Sequence, residues 1–335
     1  YNMPVSGDQS LPAADTLPVP RHHFAACWAG VEDRAASQEI GAVERVTCYI
    51  HGGLDASGHM LGDLWRGQKF NGYNAGYKWV CTRLLPDSRA TARYGHTMSF
   101  DPGPHPANEA DSAQYARLVI FGGRVAPDTL ADNHLYTFGV GKTATVQAKD
   151  YHAWRDVAPV GKDGGPVPEA REGHAAAVRQ TVEGDDNFER QIYFFGGQRA
   201  NKTVVDADLW YVSRPDTIVA DSALIDPTGP TGPLGYKWEK VPVSTASTAT
   251  PTGRWRPAMA YNLASKRMVI VGGDTNGEGT SGGLVNEILT VPVAENTPQT
   301  YGFWSHPVMR TFPAHPGPPP IAGFQMFGLM NAGDG

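Results

Sequence analysis

Four stretches of the chain are almost wholly apolar and each ends on a glycine pair. "VTCYIHGGL" closes on Gly52-Gly53, "YARLVIFGGR" on Gly122-Gly123, "RQIYFFGGQ" on Gly196-Gly197 and "RMVIVGGD" on Gly272-Gly273. Between the second glycines the intervals are 70, 74 and 76 residues, so the pattern is a repeat and is read as one before anything else. Each pair is preceded by a start ending in arginine (Arg21, Arg93, Arg171, Arg254), and two starts continue alike, as "RYGHTMSF" (93–100) and "REGHAAAV" (171–178). Each pair is followed by a short β-type run: "DLW" (63–65), "HLYTF" (134–138), "DLWYV" (208–212) and "EILTV" (287–291). A tryptophan then closes the unit, at Trp79, Trp154, Trp238 and Trp304.

Runs of four to eight β-branched, aromatic and aliphatic residues bounded by turn residues predict strands. Four such strands make an antiparallel sheet that cannot bury both faces alone, so successive units must stack. Stacking them around an axis gives a β-propeller, which leaves only short, protected edges. The second strand of each blade, covered on both faces, then reads as an unbroken apolar run. The glycines supply positive φ and close backbone approach where that strand ends.

Together, the paired glycines, the Arg-x-Gly-His starts, the later Asp-Leu-Trp and the spaced tryptophans resemble the kelch repeat. The resemblance covers roughly residues 17–305 and implies an all-β, kelch-type propeller akin to the galactose oxidase and kelch-like proteins. Four four-stranded blades are expected, at 17–83, 84–158, 159–242 and 243–305. Residues 1–16 would then be an outer strand of a neighbouring blade, and 306–335 the start of a further one. The first and fourth units depart from the pattern, with Phe24 and Pro257 in the histidine slot. "PPPIAGFQMF" (318–327) mimics a further start strand, and kelch propellers commonly have six or seven blades. More chain beyond Gly335 is therefore expected.

Composition narrows the function. The 335 residues are 41% hydrophobic and 19% charged, with 39 Gly and 27 Pro, which suits many turns and few helices. No apolar run is long enough to span a membrane. A net charge of -6 argues against nucleic acid, whose partners carry basic patches. "GVGKT" (139–143) lacks the earlier glycine of a phosphate loop, and "GTSGG" (279–283) lacks the strand-to-helix turn of a nucleophile elbow. Enzymes exist among kelch propellers, but neither a cross-linked Cys-Tyr copper set nor an acidic-acidic-His run at four-residue spacing occurs in this sequence. No catalytic residue, cofactor or metal is assigned. His96 and His174 recur at equivalent positions and are read as structural, whereas His51 and His22-His23 are placed near the channel mouth.

The units exceed the kelch length of about 50 residues, and much of the excess separates the first and second strands. The segments 28–45, 101–116 and 179–190 carry charges of -2, -3 and -2. In a propeller they emerge on one face, so Glu32, Asp33, Glu39, Asp101, Glu109, Asp111, Glu183, Asp185 and Asp186 form a candidate interaction face. The expected function is a non-catalytic protein-interaction or scaffolding module. A secreted carbohydrate-active or oxidative enzyme working at the channel mouth is the alternative, with carbohydrate as its ligand. "NKT" (201–203) makes Asn201 a glycosylation acceptor and favours an extracytoplasmic location over a cytoplasmic one. Cys27 and Cys48 fall in one predicted hairpin and are a candidate disulfide if the register brings them opposite, with Cys81 left unpaired.

Overall fold

In the computed structural model, the described residues are 17–29, 46–72, 76–85, 92–101, 116–140, 154–179, 191–201, 203–204, 207–213, 235–277, 283–285, 287–293 and 304–305. They form an all-β structure of antiparallel sheets in series. In the first sheet the two short pieces β1 (Arg21–His22) and β2 (Ala25–Ala29) both pair with β3 (Val46–Asp55), followed by β4 (Met60–Gly72) and β5 (Gly76–Leu85). The second sheet sets β6 (Thr97–Asp101), β7 (Arg117–Phe121), β10 (Leu135–Gly139) and β11 (Trp154–Val157) side by side, with a small hairpin of β8 (Arg124–Ala126) and β9 (Thr129–Leu130). The third runs β12 (Glu172–Val178), β13 (Gln191–Gln198), β14 (Leu209–Ser213), β15 (Lys237–Lys240). The fourth has β16 (Ala258–Asn262), β17 (Arg267–Val271) and β18 (Ile288–Pro292). Its expected fourth strand is reduced, among the described residues, to a bridge between Thr290 and Ser305.

Burial of the second strands follows from their neighbours. β7 and β13 are buried at every position, because each lies in a sheet covered on both faces. β17 and residues 47–51 of β3 alternate between buried and half-buried, as expected for the outermost sheets of the described series. Three apolar clusters fill the joints. Tyr49 and Leu64 meet Leu118 and Ile120, Phe121 meets Phe194 and Trp238, and Phe195 and Tyr211 meet Ile270 and Trp304. Trp238 and Trp304 are almost fully buried and Trp154 half-buried, each adding a large apolar body to its joint.

The glycine pairs make the joints possible. All eight glycines have positive φ, between 63 and 103°. The second glycine N–H donates to the carbonyl of the next unit's arginine: Gly53 to Arg93 (2.9 Å), Gly123 to Arg171 (2.9 Å) and Gly197 to Arg254 (2.8 Å). A Cβ on the first glycine would sit 2.5 Å from Arg93 O at Gly52, and 2.3 Å from the matching carbonyl at Gly122 and at Gly196. No side chain fits there. The repeated arginines close the same corner, each donating Nη1 to the first glycine's carbonyl at 3.1–3.2 Å: Arg21 to Gly52, Arg93 to Gly122, Arg171 to Gly196 and Arg254 to Gly272. Arg21 also binds the carboxylate of Asp63, near the start of β4, and Arg254 that of Glu287, just before β18.

The register corrects the cysteine expectation. Cys27 lies opposite Tyr49 and Cys48 opposite Trp28, so the two thiols point to opposite faces of the sheet, and none of the three cysteines is in a disulfide. Cys48 instead shares a face with Cys81, on either side of Gly67. Burial raises both thiols above their ordinary value.

Candidate functional site

Two edges of the sheet series carry the chemistry. At one edge lie the ends of the first strands and the beginnings of the second: Ala29 pairs with Thr47, Asp101 with Arg117 and Val178 with Ile192. The three inserted loops spring from these pairs. Of the candidate interaction residues, Glu32, Asp33, Glu39, Glu109, Asp111, Glu183, Asp185 and Asp186 lie outside the described residues. Asp101 does not belong to that face. It is 3% exposed and accepts a hydrogen bond from Tyr236, which reaches it from the third sheet. It is a buried tie between units rather than a surface charge. Asn201 is exposed in a turn between β13 and β14, its Oδ1 accepting the Thr203 N–H at 3.0 Å.

At the opposite edge the four starts meet. The residue two after each arginine is His23, Gly95, Gly173 or Arg256, and all four are left-handed, with φ of 53, 67, 60 and 52°. Their backbones are linked in sequence. Gly95 N–H donates to His23 O (2.9 Å), Gly173 N–H to Gly95 O (2.8 Å) and Arg256 N–H to Gly173 O (2.6 Å). The Arg256 side chain completes the circuit, its Nη2 lying 2.6 Å from His23 Nε2. A guanidinium only donates, so His23 Nε2 accepts and the neutral ring carries its proton on Nδ1. That proton points to His22 Nδ1, 3.1 Å away. Loss of hydration, and then the Arg256 charge, lower His23 to about 4, so the ring is neutral near pH 7.

Aromatic groups flank the circuit. The Arg256 guanidinium stacks 4.0 Å over the Trp255 ring, and Tyr94 stacks on His23 at 6.2 Å between centroids. Beneath them Arg124 donates to Glu172 Oε1 at 2.9 Å and Gln198 donates to the same oxygen at 2.7 Å, all three side chains being buried. A side chain in the middle of the circuit would have to displace its neighbours: a Cβ on Gly95 would lie 2.7 Å from Glu172 Oε2, and one on Gly173 would lie 2.3 Å from Trp255 Nε1.

The histidines divide cleanly. His51, expected near the mouth, is instead fully buried between the first two sheets, its Nδ1 3.0 Å from His96 Nε2. His174 reaches the preceding sheet at a different strand, its Nε2 2.8 Å from Thr97 Oγ1 at the start of β6. His96 and His174 thus do share a hydrogen-bonding role, each toward the preceding sheet. Burial holds His51 and His174 down to about 3 and His96 well below its ordinary value. In the second unit a histidine takes the place of the carboxylate that begins the other units' short β-type runs. His134 turns to Asp156, and its neighbour Tyr136 donates to Asp132 at 2.8 Å. The ligand atoms of Asp132, His134 and Asp156 lie within 4.8 Å of one another, close enough to share a cation. Residue-type searching along the sequence passes over this trio and over the His23–Arg256 contact. Comparing position by position across the units marks both, since each breaks the repeat.

No sequence-family profile and no curated protein matches the chain. Among solved structures it is similar to a chain in the "Cryo-EM structure of RAG in complex with one melted RSS and one unmelted RSS", at 15% identity and a TM-score of 0.50, over 85% of this chain and 66% of that one. This chain therefore spans just under two thirds of that relative, and at this identity the likeness concerns the fold alone. It is also similar to the "Structure of YjhT", at 12% identity and a TM-score of 0.35, over 87% of this chain and 85% of that one. Among the described residues no helix is long and apolar enough to cross a membrane.

Proposed function

We propose that the four units are blades of a kelch-type β-propeller acting as a non-catalytic binding module, whose protein partners are taken up by the acidic loops inserted between first and second strands. The observation carrying this reading is the way those loops are rooted. Each springs from a cross-strand pair at the same edge of its sheet, and at least one residue of every root pair is buried: Ala29 and Thr47, Asp101 and Arg117, Ile192. Rigid roots with variable, charged loops between them are the usual arrangement of a recognition surface. The excess negative charge of the loop segments favours a partner with a basic surface, drawn in by long-range attraction that salt screens.

Neutralising Glu32, Asp33, Glu39, Glu183, Asp185 and Asp186 together to Gln or Asn tests it, leaving the buried Asp101 untouched. A protein that co-purifies stoichiometrically with the native chain should bind the neutralised variant at least tenfold more weakly at low salt. The difference should shrink as salt rises. A variant that binds its partner as tightly as the native protein would overturn the reading.

A further inference from the structure

We infer that the cluster formed by His23, Tyr94, Trp255 and Arg256 is a binding site for a planar monocarboxylate, on the edge opposite the acidic loops and independent of them. The argument begins with Arg256. Among the described residues its side chain makes a single hydrogen bond, to the uncharged imidazole of His23. Among the described residues no carboxylate lies within ion-pair distance of it, whereas Arg21, Arg124 and Arg254 each hold one, from Asp63, Glu172 and Glu287. A guanidinium carries five donors, and a carboxylate is a far stronger acceptor for them than a neutral ring nitrogen. Glu172, the acid whose charge acts on Arg256, accepts from Arg124 and Gln198 through Oε1 and makes no ion pair with Arg256.

The circuit's own comparison points the same way. Its four equivalent positions all require left-handed backbone, and two are glycine. A non-glycine residue is strained there, yet the other two hold His23 and Arg256, the pair whose side chains meet. Strain retained at two facing polar side chains, where glycine serves their neighbours, marks a working site.

The shape selects the ligand. Stacking on Trp255 fixes the plane of the guanidinium and leaves its edge for a two-point contact, which suits a flat carboxylate. Tyr94 and His23 supply an aromatic wall for the rest of the molecule. With the Arg124 charge met by Glu172, Arg256 has no ion-pair partner among the described residues, and the negative charges of Glu172 and Asp128, both acting on Tyr94, disfavour a dianion. A monocarboxylate fits and inorganic phosphate does not. The positive Arg256 equally disfavours a metal ion on the paired histidines.

Calorimetric titration at constant ionic strength, with benzoate, its uncharged isostere benzamide, and inorganic phosphate, tests the site. Benzoate should bind the native chain at least tenfold more tightly than either of the others. Arg256→Gln should lose that preference, and Arg256→Lys should retain only part of it, since an ammonium cannot make the forked contact. Arg256→Gly should also lose binding while its urea midpoint stays level or rises, because glycine relieves the left-handed strain; this separates a lost site from a lost fold. Equal binding of benzoate and benzamide, binding of neither, tighter binding of phosphate, or undiminished binding by Arg256→Gln would each overturn the assignment.

Discussion

Gly122→Ala is expected to destabilise the protein by roughly 3–5 kcal/mol, a loss at the upper end for a single methyl group. Two costs add. Gly122 has a φ of 65°, and a residue with a Cβ costs about 1–2 kcal/mol there. The new Cβ would also lie 2.3 Å from the carbonyl oxygen of Arg171. That oxygen is backbone and cannot swing aside, so the joint must open and the Gly123-to-Arg171 hydrogen bond is strained or lost. The control is Gly58→Ala. Gly58 is also left-handed, at 79°, but a Cβ there meets nothing within 4 Å, so only the conformational cost of about 1–2 kcal/mol remains. Urea unfolding of both variants measures the difference. Equal losses would mean that the glycine pairs serve local turns and not the joints between units.

Acid should weaken the fold over an unusual window. His51, His96 and His174 are buried and neutral, with affinity for protons far below the ordinary value of 6.5. In the unfolded chain they regain that ordinary value. Between about pH 6.5 and the folded-state values, near 3 for His51 and His174 and well below 6.5 for His96, the unfolded chain therefore binds protons that the folded one refuses, and stability falls as pH falls. Each histidine contributes a slope of up to about 1.4 kcal/mol per pH unit, so the three together approach roughly 4 kcal/mol per unit at the steepest. His23, lowered to about 4 but partly in contact with solvent, adds a smaller share. The urea midpoint should drop steeply from pH 6.5 to pH 4.5, before most carboxylates titrate. His174→Gln, which keeps a polar group toward Thr97, should remove about a third of the slope. A midpoint that stays level across this range would show that the rings are already protonated or solvated in the folded state.

What could be read from the sequence was whatever a unit repeats within itself. The glycine pairs, the arginines before them, the apolar second strands and the tryptophans all answer local constraints that recur every 70–76 residues, and each lies where its pattern places it. What could not be read depends on one unit meeting another, or on a single residue of register. Asp101 carries the charge of a surface residue, and only its partner Tyr236, 135 residues away, makes it a buried tie. Cys27 and Cys48 sit in neighbouring strands as expected, but a one-residue offset separates their faces. The short "DLW" run proved to be the middle of the 13-residue β4, since the polar residues after Trp65 give no strand signal of their own. His23 and Arg256 are 233 residues apart, and nothing near either one in the chain announces the other. Their only trace is that both interrupt a glycine position of the repeat.

The joints themselves are most directly tested by amide hydrogen exchange, read by NMR at Gly53, Gly123 and Gly197. Each N–H donates to the arginine carbonyl of the following unit, and no neighbouring strand of its own sheet supplies that acceptor. If the units are packed in series through these bonds, all three amides should exchange only as slowly as the cores of β7 and β13, through opening of the joint. Exchange at the rate of an exposed turn such as Gly58 would contradict the serial arrangement and, with it, the frame on which both proposed binding edges rest.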